Sequence, residues 1–415
     1  TANGTANDRL SVRHQGTGAG QIGVAGDSIT YGGVEMGTGS GGTGTTPLVI
    51  TLTSAATPEA VQALVRNLTF HTDTDSPNTA IRTVRFVVSD GDGATSAAVT
   101  QSVTVLEQND APVLDTAGSM TLSTITEDQT TNTGNTVAEI IASGGGDRIT
   151  DPDAAALEGI VVTGATVTTG NGTWQYSLDN GTTWASVGAV ADTSALLLRA
   201  ADRVRFLPDA MNGAEGSFAF RAWDQSTGSA GSTVDASTTG GSTAFSTATE
   251  TASITVTAVN DAPGPPAASM FMAIPEDTTN PWGKPVSDFA ATLSDPDTGA
   301  LKGIAVTEAT GSNGIWQYTL DNGSSWQSMG EVSVSSARLL PADGNTVRVR
   351  FVPNPDFNGY VYFGYYGWDQ TQGTVGALYD ASVRGGTTAF NSGYSAVSQN
   401  VTALNDAPTA LIASV

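Results

Sequence analysis

The chain has 415 residues, with 40 acidic against 16 basic side chains, a formal charge of −24, 49 glycines and no cysteine. Such a surface repels nucleic acid and anionic membrane. Without cysteine there are no disulfides or thiolate metal sites, and no stretch approaches the ~18 consecutive apolar residues of a spanning helix, so neither nucleic acid nor membrane insertion is expected. Length predicts two to four domains, and hydrophobic residues at 39%, rich in Val and Ile among Thr, Ser and Gly, predict short strands joined by polar turns.

The one convincing helix is short. Thr57 caps it, Pro58 suits its first position, and Val61, Leu64, Val65 and Leu68 form its apolar stripe, which is expected to plug one end of a first sandwich. Arg82 to Asp90 then reads as a strand, with Val84, Phe86 and Val88 alternating against polar neighbours. A second strand over 102–106 leads into Asn109-Asp110-Ala111-Pro112.

That tetrapeptide recurs at Asn260 and Asn405, roughly 150 residues apart each time. Between the marks two units match feature by feature. Glu127-Asp128 matches Glu276-Asp277, and Asp151-Pro152-Asp153 matches Asp295-Pro296-Asp297. Trp174-Gln175-Tyr176 matches Trp316-Gln317-Tyr318, and Val204-Arg205-Phe206 matches Val349-Arg350-Phe351. Trp223-Asp224-Gln225 matches Trp368-Asp369-Gln370, and a late loop from Gly240-Gly241 to Phe245 matches Gly385-Gly386 to Phe390. The units are therefore read as 1–110, a divergent relative, then 111–261 and 262–406, with 407–415 opening a further repeat. In each unit a strand of alternating residues ends in Asp (Asp90, Asp224, Asp369), and Phe218 and Phe220 align with Phe363 and Tyr365 as inward residues.

The Asn-Asp-Ala-Pro marks, the Glu-Asp pair after each, the Asp-Pro-Asp, and Pro355-Asp356-Phe357-Asn358-Gly359 before a strand ending in Asp resemble the linkers of cadherins. They resemble equally the bacterial cadherin-like, immunoglobulin-like tandem repeats of giant secreted surface adhesins. The resemblance covers essentially the whole chain. It implies an all-β fold of tandem immunoglobulin/cadherin-like β-sandwiches in an elongated array, at a bacterial cell surface or in a matrix, with calcium (Ca2+) at the joints. It also implies a structural or adhesive role, with adjacent repeats of the same chain, further copies in a fibre or matrix, and surface glycans as partners.

In such proteins linker residues, an acidic residue of the preceding domain and an Asp-x-Asp of the following one chelate the ion. Calcium takes about 6–8 hard oxygens from carboxylates, amides and carbonyls, and an Asn-Asp pair closed by Ala-Pro places two donors on a rigid segment. The expected ligands are Asp90, Asn109, Asp110, Asp151 and Asp153 at the first joint. At the second they are Asp224, Asn260, Asp261, Asp295 and Asp297, while Glu127 and Glu276 are open either way. The same Asp residues also make turns with no metal. The linker lacks the fuller acidic run of vertebrate cadherins, so fewer ions per joint are expected.

Ser177-Leu178-Asp179-Asn180-Gly181-Thr182-Thr183-Trp184 matches the Asp-box of sialidase propellers, and the run from Thr319 to Trp326 nearly repeats it. Propeller blades recur about every 40–50 residues, whereas these copies stand roughly 140 apart. The box is read as a hairpin turning at Asn-Gly and pinned by its Trp residues. With two His, no phosphate loop and no His-rich spacing, an enzyme is not expected, and a sialidase-like hydrolase is the remote alternative. A nearer alternative is a glycan- or protein-binding face in the third unit. Tyr360, Tyr362, Tyr366 and Trp368 stand where the second unit has Glu215, Ser217, Arg221 and Trp223; the rival expectation is that the hairpin or the Gly-rich loop covers this face.

Overall fold

The computed structural model describes residues 2–407, so that almost all of the 407–415 segment lies outside the described residues. The chain is a tandem array of all-β units. From 111 to 261, apolar residues at every second position build two facing sheets. The larger runs in the order Met120–Thr121, Glu250–Thr257, Ala214–Trp223, Gly159–Thr169, Ala195–Arg199, Thr233–Val234. The smaller runs Asn135–Thr136, Arg203–Pro208, Gly172–Ser177, Ala185–Ser186. Ile160, Val162, Phe218 and Phe220 from one sheet meet Trp174, Val204 and Phe206 from the other. Trp174 sets its edge against Phe206 and Phe218, both at 5.3 Å between ring centroids. The next unit repeats this plan, its core built on Ile304, Phe363 and Tyr365 against Trp316, Val349 and Phe351.

Each repeat carries a second apolar layer outside the large sheet. Trp223 packs with Val161, Leu197, Ala236, Ala244 and Phe245; Trp368 packs with Ala305, Leu339, Tyr366, Ala389 and Phe390. The late loop supplies the lid in both cases. It is tied down by backbone bridges from Trp223 to Phe245 and from Trp368 to Phe390, with the Asp224 N–H donating to the Ala244 carbonyl (3.2 Å) and the Asp369 N–H to that of Ala389 (3.1 Å).

This lid corrects the expectation of one aromatic face. Tyr366 and Trp368 are buried beneath it, while Tyr360 and Tyr362, nearer the start of the strand, are 63% and 54% exposed. The cover spans only the far half of the strand, so the four residues do not share an environment.

The first unit departs further from the pattern. A four-stranded antiparallel sheet (Ile22–Ala25, Ser28–Tyr31, Val34–Gly41, Leu48–Leu52) is packed by the helix α1, Pro58–Arg66. The Thr57 hydroxyl caps α1 by accepting the Ala60 N–H. Ala60 and Leu64 bury against Ile22, Ile29 and Met36, while Val65 faces solvent. Arg82–Phe86 pairs with Val99–Val103 and, at Thr83, with Ala2, and Val88, expected inside, is exposed because the chain has already left the strand. Asp8 and Arg82 form a buried ion pair at 3.0 Å that ties this hairpin to the unit's first strand. Two further helices appear. Thr136 and Glu139 form a reciprocal capping box on α2, Val137–Ser143, and α3 is a single turn, Val286–Phe289.

The Asp-box runs are loops whose carboxylate organises them. Asn180 and Gly181 both have positive φ (57° and 88°), as a type I′ turn requires. The strands nonetheless pair only outside residues 178–184. Asp179 accepts the Ser177 hydroxyl (2.8 Å), the Thr183 N–H (2.8 Å) and the Thr183 hydroxyl (2.7 Å), and these bonds fill out a longer connection than a two-residue hairpin. Trp174 and Trp316 are core residues, whereas Trp184 is only half-buried, with the Arg205 guanidinium 4.1 Å over its ring.

Candidate metal sites at the joints

At the linkers starting at Asn109 and Asn260 the Asn and Asp are fixed from the unit that follows. The Asn109 amide donates to Asp224 Oδ2 (2.9 Å) and to the Thr243 carbonyl (3.2 Å). The Asp110 N–H donates to Asp153 Oδ2 (2.9 Å), and the Asp153 N–H to Asp151 Oδ1 (2.8 Å). The late loop closes the arrangement where the Ala111 N–H meets the Gly241 carbonyl (2.8 Å). The second joint repeats every contact. Asn260 donates to Asp369 Oδ2 (2.9 Å) and Thr388 (3.3 Å), Asp261 N–H to Asp297 Oδ2 (2.8 Å), Asp297 N–H to Asp295 Oδ1 (2.9 Å), and Ala262 N–H to Gly386 (2.7 Å).

Two expected residues lie elsewhere than the sequence placed them. Asp224 belongs to the first joint, and Asp369 takes the corresponding position at the second. The strand ending at Trp223 runs antiparallel to Glu250–Thr257, which leads onward to the next linker, so its C-terminal end points back to the preceding one. Both Asp224 oxygens are occupied, Oδ2 by Asn109 and Oδ1 by the Ser226 N–H (2.7 Å), which makes it a positioning residue for Asn109. Asp90 is separated from the first linker for the same reason: its strand pairs antiparallel with Val99–Val103. Its Oδ1 accepts the N–H groups of Asp92 and Ala94 inside its own turn.

The preceding unit contributes a different acid. At the second joint Glu127, fully buried, accepts the Val259 N–H on Oε1 (3.0 Å). One oxygen each of Glu127, Asp261 and Asp297 lie within 4.8 Å of one another. Asn212, which sequence reasoning passed over, crosses the same joint, its amide donating to the Pro296 carbonyl (3.0 Å) and its Oδ1 accepting the Thr298 N–H (2.8 Å). The signal for it was the matching Asn358.

Hydrogen bonds within the loops use only part of this oxygen. Asp151 Oδ2, Asp153 Oδ1, Asp261 Oδ2, Asp295 Oδ2 and Glu127 Oε2 are buried with no hydrogen-bond partner. A turn needs one oxygen per Asp and leaves the other in water; here the second is withdrawn from water, which is costly for a carboxylate without a partner. Burial first, and then neighbouring charge, raises several of these carboxyls above their ordinary values. Asp153, Asp224 and Asp110 act on Asp151, and Asp297, Asp369 and Asp261 act on Asp295, in each case against the lowering effect of one backbone N–H. Asp297 and Asp128 act on Asp261; Asp261, Asp297 and Asp128 act on Glu127, against the Val259 N–H. Hard, anionic, unsatisfied oxygens, from three chain segments at the second joint and from the Asp-x-Asp loop at the first, fit a calcium-type cation. The residues that would hold it are Asp110, Asp151 and Asp153 at the first joint, and Glu127, Asp261, Asp295 and Asp297 at the second, with the Asn109 and Asn260 side chains beside them.

No family model matches the chain, and no curated protein is similar to it at a significant level. Among solved structures it is similar to protocadherin gamma B2 extracellular cadherin domains 1–5, with a TM-score of 0.38 and 12% identity over 96% of this chain and 54% of that one. It is also similar to mouse cadherin-23 EC22–24, with a TM-score of 0.37 and 9% identity over 96% of this chain and 87% of that one. A third is human CDH23 EC21–23, with a TM-score of 0.35 and 12% identity over 70% and 69%. The chain thus spans about half of the first of these.

Proposed function

We propose that this chain is a mechanical segment of an extracellular, surface-attached protein, whose β-sandwich units are held in line by calcium at the joints. The observation that carries the reading is the donor set repeated at successive linkers, with carboxylate oxygens buried and unpartnered at both. Bound calcium would supply the positive charge that these oxygens lack and join one unit's end to the next unit's Asp-x-Asp loop. Asp224 and Asp369 hold the linker Asn in place, and the late loop locks the linker backbone. The bacterial surface setting and assembly with further copies follow from the sequence resemblance and belong to the same proposal. Calorimetric titration of the whole chain with calcium tests it: heat of binding is expected at both joints, and it should fall when Asp153 and Asp297 are replaced by Asn. Absence of calcium binding at millimolar concentration would overturn the reading.

A second reading is favoured by the exposed pair Tyr360 and Tyr362. Two rings open to solvent on one strand face suit contact with another protein or stacking on a glycan.

A further inference from the structure

The two joints share their linker and their Asp-x-Asp loop, yet they receive different charge from the unit before them. At the second joint the second unit's opening segment runs beside its last strand. The Glu127 N–H donates to the Thr257 carbonyl (3.1 Å), and the Val259 N–H donates back to Glu127 Oε1 (3.0 Å). These bonds leave the buried Oε2 without a partner, and one Glu127 oxygen lies within 4.8 Å of one each from Asp261 and Asp297. In the first unit the opening residue Ala2 bridges Thr83, and among the described residues no segment runs beside Val99–Val103 as Glu127 does beside Thr257. The last strand of the first unit, Val99–Val103, is paired with Arg82–Phe86 in a two-stranded sheet, and Asp90 Oδ1 accepts the Asp92 and Ala94 N–H groups of its own turn. On that side Glu107 is exposed and accepts the Ser76 hydroxyl (3.2 Å), and Ser76 Oγ accepts the Ala154 N–H across the joint (3.3 Å). Among the described residues, three carboxylates converge within 4.8 Å at the second joint and at no other place.

We infer, on the calcium reading above, that the joints fill at different cation concentrations: the second takes calcium first, and the first remains a hinge until calcium is higher. Glu127 sets the difference. Calcium affinity rises with the charge count of the ligands and the rigidity of the site, and Glu127 adds to both: it is a fourth carboxylate beside Asp261, Asp295 and Asp297, where the first joint has three, and its buried position fixes it before any ion arrives. Units two and three therefore stiffen as a pair while the first unit still swings. A protein of this design responds to calcium in two steps along its length.

The test uses the whole chain, which lacks cysteine, so that a pair of engineered cysteines on exposed serines either side of one joint can carry spin labels. The width of the distance distribution is followed by pulsed electron paramagnetic resonance as calcium is added. The second joint is expected to narrow at a calcium concentration lower by about 10-fold or more than the first. Glu127→Gln keeps the acceptor for the Val259 N–H. It should raise the second midpoint by about 10-fold or more and leave the first unchanged, and Asp261→Asn, at the same convergence, should likewise move the second alone. Equal midpoints in the unsubstituted chain, or a Glu127→Gln variant that shifts both joints or neither, overturn the inference while the calcium reading stands. Distributions that ignore calcium at both joints overturn the two together.

Discussion

Replacing Asp297 by Asn should change stability in opposite directions with and without calcium. The substitution keeps the oxygen that accepts the Asp261 N–H at 2.8 Å, so the linker hydrogen bond survives and the charge alone is lost. Asp297 has an oxygen within 4.8 Å of one each from Glu127 and Asp261. At an effective dielectric constant of about 20, each such pair repels by roughly 3 kcal/mol, or roughly 6 kcal/mol for the two. Asp297 is half-exposed, and salt and solvent screen it, so about 1–2 kcal/mol should survive. In chelator the variant should therefore melt about 3–6 °C higher in the transition of the third unit. In excess calcium the lost ligand dominates, since a 10-fold weaker site forfeits about 1.4 kcal/mol, and the variant should melt a few degrees lower. Scanning calorimetry of the whole chain in the two conditions is the assay. A variant that melts lower by the same amount in both would show Asp297 to be a turn residue with no electrostatic role.

Trp174→Ala should cost the second unit about 3–5 kcal/mol in urea unfolding, whereas Trp184→Ala, which removes a half-exposed ring stacked under Arg205, should cost about 1 kcal/mol; equal losses would contradict the packing described. Asp8→Asn strands a buried guanidinium and should destabilise the first unit by about 3–5 kcal/mol. Burial opposes the charge on Asp8, but bonds from Arg82 and Thr5 outweigh it and lower its carboxyl. The stability it lends is thus full above the ordinary Asp value and lost as pH falls below it; a variant as stable as the parent near neutral pH would refute the pairing. Asp179 and Asp321 are held to about 2 by hydrogen bonds from Thr183 and Ser177, and from Ser325 and Thr319. Carboxyl NMR titration should find both charged until the pH is near 2, with the loop contribution present above about 3.9 and lost on the way down; midpoints at the ordinary value would show that the loops do not hold these bonds in solution.

Much of the architecture was legible because each repeat states it twice. Trp174 with Phe206 and Trp316 with Phe351 fall at matched positions in alternating runs, and period-two alternation is a local property of a strand. The origin of the ligands was less legible, because an alternating strand carries no sign of which end meets which joint. Asp224 and Asp90 follow alternating runs alike, and only the antiparallel pairing with the last strand sends Asp224 to the first joint and Asp90 away from it. Glu127 reaches its joint across more than 130 residues of chain, so nothing near it in sequence names its partners. The helix α2 was there to be read, in Thr136 and Glu139 three apart before Ile140 and Ile141. The covering of Trp368 and Tyr366 depended on where the Gly385–Phe390 loop lands. That loop was visible as a repeat, while its destination is a tertiary fact.

Small-angle X-ray scattering of the whole chain, in excess calcium and then in chelator, tests the calcium-stiffened array most directly. With calcium the maximum dimension should be larger and the profile that of a stiffened rod; on chelation the chain should become more compact on average and more variable, each sandwich retaining its melting transition. Profiles that superimpose in the two conditions would contradict it.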